Sequence, residues 1–320
     1  MAFLSLAFVI AAIVAYGEIY AFRASGAYTA DGRFIDWRSK RLHVRDLGRA
    51  SKPPVLLIHG SSANGREFLQ NLVPALDQDF RLLVPDRPGA GHSERPFNAA
   101  RLSQQAAAMA QVLDDAGGAP TIVVGHSFGA PVGLRLAMDR PDLVKGLVLL
   151  APVSHPWDGK TRLHNRLAAN PIYGRLFARI VPFVGPAAAT GGMKNVFGPQ
   201  TPPEGYSEAT GLSLLFRPAT FRANAQDLAS INAELAAQAS RYPEIDIPTV
   251  IFSGSKDQVL SPTLHARALS KEMPRVELVI LPESGHMPHH YHAAEIANAI
   301  QKLRPGDKSN AGGGRGAAAE

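Results

Sequence analysis

The stretch TIVVGHSFGAPVGLRLA, Thr121 to Ala137, leaves this chain few folds to choose from. Four β-branched residues run without a break into Gly125-His126-Ser127-Phe128-Gly129, and a helical pattern follows at once. A continuous apolar run of this kind is how a strand covered on both faces reads. A helix that starts directly behind it makes a strand–turn–helix unit of an α/β architecture. The serine at the junction fits G-x-S-x-G, the nucleophile elbow. Its two glycines let strand and helix approach closely, and the sharp turn lifts the hydroxyl to the carboxyl edge of the sheet. The tripeptide recurs in GHSER, Gly91 to Arg95, but there no strand precedes it and Arg95 replaces the second glycine. Ser127 alone combines strand, both glycines and helix.

The rest of the chain repeats the alternation. Strands are expected at Phe34–Trp37 and Arg41–Leu47 as an opening antiparallel pair. Further strands are expected at Pro54–Gly60, Arg81–Asp86, Thr121–Ser127, Gly146–Pro152, Pro248–Asp257 and Val276–His286. Helices are expected at Phe68–Leu76, Leu102–Asp115, Phe128–Met138, Pro262–Lys271 and Ala293–Leu303. This is the pattern of an α/β fold with a mostly parallel central sheet and helices on both faces, its core at 31–152 and 246–304. From Pro152 to Pro248 no strand signal appears, and a structureless loop of that length does not suit a compact domain. Residues 153–245 are expected to form a helical insertion over the sheet, from pieces such as LHNRLAANPIYGRLFARI and ANAQDLASINAELAAQA. Trp157, Phe183, Phe197 and Phe216 are expected in its core.

A serine hydroxyl needs a base, and the base needs an orienting acid. Asp257 lies just past one expected strand in VIFSGSKDQVLSP, and His286 just past the next in LVILPESGHMPHH. The order Ser, acid, His is the one expected of a nucleophile elbow. Catalytic groups gather at the carboxyl ends of strands in open α/β sheets. Asp158 is the competing acid, set well beyond Pro152. The two oxyanion donors expected are the backbone N–H groups of Phe128, next to the nucleophile, and Ser61, after His59-Gly60. His126 reads as a packing residue beneath the turn. Asp86 and Arg87 read as stabilising the loop DRPGAGHS. The cluster His286, His289, His290 and His292 fits no zinc signature, and neither a metal nor a cofactor is expected.

HGSSANG, PDRPGAGHSERP, GHSFG, GSKD and SGHMPH, in that order, resemble the α/β-hydrolase family over roughly Arg33 to Arg304. The resemblance implies the triad order, the oxyanion hole and a helical lid inserted after the sixth strand. Its relatives with an aspartate nucleophile, the haloalkane dehalogenases and epoxide hydrolases, are argued against by Ser127. Epoxide hydrolases also carry proline where this chain has Ser62. The expected activity is hydrolysis of a small to medium apolar carboxylic ester through an acyl-enzyme. The alternatives are acyl transfer, or hydrolysis of amides, lactones or C–C bonds, on the same triad; a non-catalytic binding protein is the remaining reading.

Its 320 residues are enough for one large domain with an insertion or for two small ones, and without cysteine the chain can have neither a disulfide nor a thiolate site. Its net charge of +6 is scattered and comes with no nucleic-acid motif, so no nucleic acid is expected as partner. From Met1 to Gly17 no side chain is charged. This run, continued to about Phe22, is expected to be a membrane anchor. The alternatives are a helix packed on the body and a cleaved signal, the latter weakened because no basic region leads the run and ASGA is a weak cleavage site. Arg23, Arg33, Arg38, Lys40 and Arg41 follow it, which places the catalytic domain on the cytoplasmic side, with a periplasmic domain as the alternative. The Gly/Ala-rich residues 305–320 are expected to be a disordered tail.

Overall fold

The computed structural model describes residues 2–159 and 161–304; the expected tail lies outside the described residues. Helix α1 (Ala2–Ala27) leads into the strands β1 (Arg33–Trp37) and β2 (Lys40–Leu47). Then β3 (Pro54–Ile58), α2 (Leu72–Leu76), β4 (Arg81–Pro85), α3 (Leu102–Asp115), β5 (Thr121–His126), α4 (Gly129–Asp139) and β6 (Val144–Leu150) follow. Among the described residues only helical elements come next: α5 (Leu163–Ala169), α6 (Gly174–Phe177), α7 (Val181–Phe197), α8 (Tyr206–Ala209) and α9 (Pro218–Gln238). The chain then returns to the sheet through β7 (Thr249–Gly254), α10 (Ala268–Glu272), β8 (Val276–Leu281), α11 (Pro288–Tyr291) and α12 (Ala293–Lys302).

The eight strands form one sheet in the order β1-β2-β4-β3-β5-β6-β7-β8. The β1–β2 and β2–β4 pairs are antiparallel and the others parallel. Register explains why the inner strands are apolar throughout. Leu57, Val124, Val148 and Val250 stand side by side across four strands and face Leu72, Leu76, Ile296 and Ile300 of α2 and α12. Leu56, Val123 and Leu147 point the other way, onto Met109, Val112, Val132 and Leu136 of α3 and α4. Side chains alternate along a strand, so both parities must be apolar when helices cover both faces.

Several strands stop short of their expected ends. β3 ends at Ile58, β5 at His126, β7 at Gly254 and β8 at Leu281. The residues beyond leave the ladder because other partners take their backbone: Gly60 N–H, for one, donates to the Glu67 carboxylate at 3.0 Å. The expected helix Phe68–Leu76 divides into a 3-10 turn, Gly65–Phe68, and α2.

Helix α1 runs to Ala27, past the expected end near Phe22. Its second half packs on the helical segment between β6 and β7. Arg179 pairs with Glu18 at 2.9 Å, the Tyr20 hydroxyl donates to the Ser213 carbonyl at 3.3 Å, and Arg217 donates to Ser25 Oγ at 3.0 Å. Phe183 corrects its expected place: it lies half exposed against Tyr16, ring centroids 4.0 Å apart, whereas Phe197 and Phe216 are buried. The reason is local, since α7 carries no polar face along its first turns to turn toward water.

Candidate active site

Ser127 sits in the turn between β5 and α4 at φ +50°, the left-handed region that a residue with a side chain enters only under constraint. The constraint comes from both glycines. A Cβ on Gly129 would collide with the Ile58 carbonyl, and one on Gly125 would come 2.7 Å from the Gly129 carbonyl oxygen. The Ser127 N–H donates to the Leu150 carbonyl at 2.9 Å, which pins the turn to the end of β6.

The three residues expected from sequence come together. Ser127 Oγ lies 3.0 Å from His286 Nε2, and His286 Nδ1 lies 2.8 Å from Asp257 Oδ2. The other Asp257 oxygen accepts the N–H groups of Val259 at 2.8 Å and Leu260 at 2.9 Å. Burial alone would raise the Asp257 carboxyl. The hydrogen bond and charge of His286, with the two backbone donors, outweigh it and hold the group below the usual carboxylate range. Asp158, the competing acid, lies exposed.

The loop that carries Ser61 abuts Ser127: a Cβ on Gly60 would lie 3.3 Å from the Ser127 Cβ. Arg87, fully buried, clamps this loop. Its guanidinium donates to the carbonyls of His59 at 3.0 Å and Gly60 at 2.9 Å, and stands over the Phe128 ring at 4.5 Å. The Arg87 N–H donates to His59 Nε2 at 2.9 Å. That bond needs a neutral imidazole, and burial together with the Arg87 charge pushes His59 down to about 4. Asp86 holds the DRPGAGHS loop as expected, accepting from His92 N–H at 2.9 Å. Arg87 faces the other way, toward His59-Gly60 and Asp227 of α9.

Glu67 is the residue that sequence reasoning missed. It is buried in the turn Gly65–Phe68, with Oε1 at 3.1 Å from His126 Nδ1 and 3.0 Å from Gly60 N. His126 Nε2 lies 3.1 Å from the His286 carbonyl oxygen. Both His126 nitrogens therefore face acceptors, which requires the imidazolium. Burial opposes that charge, but Glu67 and the His286 carbonyl outweigh it and raise the histidine. In turn His126 and Gly60 hold Glu67 below its usual range despite burial. One buried ion pair thus ties together the loop at Gly60, the turn at Ser127 and the loop at His286. His126 packs beneath the turn, as expected, and bonds there as well.

The histidine cluster divides among separate partners. His286 joins Ser127 and Asp257, His290 Nδ1 meets Asn71 at 2.9 Å, and His292 pairs with Glu295 at 3.0 Å. Buried His289 approaches Glu67 and His126, their ligand atoms within 4.8 Å of one another. Both His126 nitrogens are already engaged, so a metal there would have to break the Glu67 pair.

The helical segment reaches the site on two sides. Asn224 accepts the Ser62 N–H at 2.7 Å, and Asp227 pairs with Arg87 at 2.9 Å and Arg95 at 2.7 Å. On the other side, Gln200 accepts the Gly285 N–H at 3.0 Å and donates to the Glu283 carbonyl at 2.7 Å.

A family model described as the alpha/beta hydrolase fold matches residues 53–293. The uncharacterized protein Rv2715 of Mycobacterium tuberculosis is 28% identical over 264 residues, covering 79% of this chain and 75% of that protein. Lipase LipV of the same organism is 39% identical over 114 residues, 35% of this chain and 41% of that one. Among solved structures, Cfl2 of Burkholderia cenocepacia superposes with a TM-score of 0.70 at 19% identity, covering 85% of this chain and 94% of Cfl2. Other matches are named as haloalkane dehalogenases, an epoxide hydrolase, esterases and a putative carbamate hydrolase. With a family model covering most of its length and an eight-stranded sheet of matching architecture, the chain belongs to the α/β hydrolase fold family.

Proposed function

We propose that this protein is a serine hydrolase that cleaves carboxylic esters through an acyl-enzyme. The observation that carries the reading is the unbroken line from Ser127 Oγ through His286 to Asp257. Ser127 Oγ attacks the ester carbonyl while His286 Nε2 takes its proton. Asp257 stays ionised, orients the ring and stabilises the imidazolium. The N–H groups of Phe128 and Ser61 bind the oxyanion. His286 then gives its proton to the departing alkoxide, which leaves as the alcohol. Water, deprotonated by the same His286, cleaves the acyl-enzyme to the acid and restores Ser127. Side chains and backbone of this chain handle every proton in this scheme.

Residues 153–245 serve as the lid over a body formed by 31–152 and 246–304. Residues 1–22 anchor the protein to a membrane, with the body on the cytoplasmic side. The lipase name carried by LipV supports the ester reading over the matched third of the chain. The test is a panel of p-nitrophenyl esters of graded chain length, alongside stoichiometric labelling by a fluorophosphonate. Labelling and turnover that vanish in Ser127→Ala support the reading; turnover that survives the substitution overturns it.

A further inference from the structure

Two apolar surfaces of this molecule face outward, and they adjoin. On α1, Phe8, Val9 and Ile10 are successive and all exposed, so they point about 100° apart around the helix. A helix apolar on every side belongs in a protein core or in hydrocarbon. The exposed face continues to Ile19 and to Phe22, which is 82% exposed. Helix α7 is charge-free from Val181 to Met193, and Phe183 and Val184 are 49% and 59% exposed. Ala7–Ala27 and Gly174–Phe197 are both long and apolar enough to cross a membrane. The Tyr16–Phe183 stack joins the two surfaces. A bilayer that covers Ile19 and Phe22 therefore reaches the level of Phe183.

The charge beside this surface suits the same partner. A groove between α1, residues 89–100 and the start of α9 is lined by Arg95, Arg175, Arg179, Arg217 and Arg222 against Glu18 and Glu94. Arg95 and Arg179 have carboxylate partners. Among the described residues, no carboxylate pairs with Arg175 or Arg222, and Arg222 Nε is buried without a partner. Guanidinium groups bind phosphate in this setting, and cations beside an apolar face favour anionic lipid.

We infer that α1 and α7, with the arginine groove at their edge, form one docking surface for a bilayer containing anionic phospholipid, and that the ester is drawn from that bilayer. The second half rests on the serine-hydrolase reading. Helix α7 is the physical link. Its 17 residues span about 25 Å. Its far end, at Phe197–Gly198, presses on the base loop, where a Cβ on Gly285 would collide with the Gly198 carbonyl. One end of the helix meets lipid while the other shapes the floor beside His286. An ester already in the membrane needs no passage through water to reach it.

The absence of cysteine makes the test direct. Val184→Cys and Glu277→Cys, the latter on the exposed β8 edge, are each labelled with an environment-sensitive fluorophore in the full chain. The labelled proteins are then reconstituted with phosphatidylcholine vesicles, with or without phosphatidylglycerol. The label at 184 shifts to the blue and is quenched by spin-labelled acyl chains, more so with phosphatidylglycerol, while the label at 277 stays aqueous. Equal, water-like emission at both positions overturns the docking surface. Arg175→Gln with Arg222→Gln removes the phosphatidylglycerol dependence; its persistence overturns the groove's part. Phe183→Asp with Val184→Asp lowers hydrolysis of a vesicle-borne diacylglycerol by roughly tenfold and leaves soluble p-nitrophenyl butyrate within about twofold. Equal losses on both substrates overturn the bilayer as source of the ester. If the unsubstituted protein cleaves neither ester, the serine-hydrolase reading fails, while the fluorescence still decides the docking.

Discussion

Two Gly-His-Ser tripeptides occur in this molecule, at Gly91 and at Gly125, and they use the serine in opposite ways. Ser93 Oγ is fully occupied by structure: it donates to the Asp86 carbonyl at 2.6 Å and accepts the His43 N–H at 2.9 Å. Among the described residues, Ser127 Oγ has the imidazole of His286 as its side-chain partner, at 3.0 Å. The first glycine of each is forced by a close neighbour, the Asp86 carboxylate for Gly91 and the Gly129 backbone for Gly125. What separates the two is the residue two positions past the serine. Gly129 lets a helix pass against the end of β3, whereas Arg95 turns away to Asp227 and the Pro88 carbonyl. A serine in such a tripeptide is free for chemistry only where the next element leaves its hydroxyl without a structural partner.

The comparison breaks most sharply at the serines themselves. Ser127→Ala and His286→Ala should each lower kcat for ester hydrolysis by up to about 10⁶, and the double variant should be hardly worse, because the residues act as a unit. Additive losses in steady-state kinetics would speak against a shared mechanism. Asp257→Asn should cost about 10⁴ through the wrong imidazole tautomer. Asp158→Asn, exposed and apart from His286, should leave the rate unchanged, and a reversal of the two would reassign the acid.

The two histidines come next. His126 sits on Glu67, whereas burial lowers His92 below its usual value. Glu67→Gln leaves His126 buried without its counter-charge. It should lower kcat roughly 100-fold as the loops loosen and cost about 3–5 kcal/mol of stability in urea titrations. The pH dependence follows from the two shifts. Glu67, lowered from 4.5, contributes stability above that value and loses it as pH falls through its lowered pKa. His126, raised from 6.5, contributes fully below that value and loses its share as pH rises through its raised pKa. The pair's share of wild-type stability should therefore be full from 4.5 to 6.5 and fall off on either side, so the gap to Glu67→Gln should vary with pH. A gap that does not change with pH would mean that the pair is not ionised. The smallest effect on activity belongs to Ser93→Ala, which should lose about 1–3 kcal/mol of stability with the rate per folded molecule intact.

The meeting of Ser127, His286 and Asp257 was legible because each carries a local signature at a strand end, and so was the alternation that builds the sheet. Glu67 was not, since its partners lie 59 residues along the chain at His126 and 7 residues back at Gly60. Nothing in ANGREF marks a carboxylate that faces inward. Asn224, Asp227 and Gln200 escaped for the same reason: they act through tertiary contact from a segment whose helices carry weak periodicity. Phe183 was misplaced because an apolar residue bound for another helix, or for lipid, reads like one bound for a core.

The pairing of Arg87 with Asp227 has a consequence for hybrids of this protein with its relatives. β6 and β7 pair directly whatever lies between them, and each doubling of a connecting loop costs only about 0.6 kcal/mol. By that measure the whole segment could be exchanged for another of very different size. The guanidinium sets the limit. It stays buried beside His59 and Gly60 after any exchange, and its carboxylate partner leaves with the segment that is replaced. A chimera that does not resupply a carboxylate at that point strands a buried charge worth several kcal/mol. Compatibility between body and transplant is then decided at one position of α9, more than by the length or hydrophobicity of what is moved.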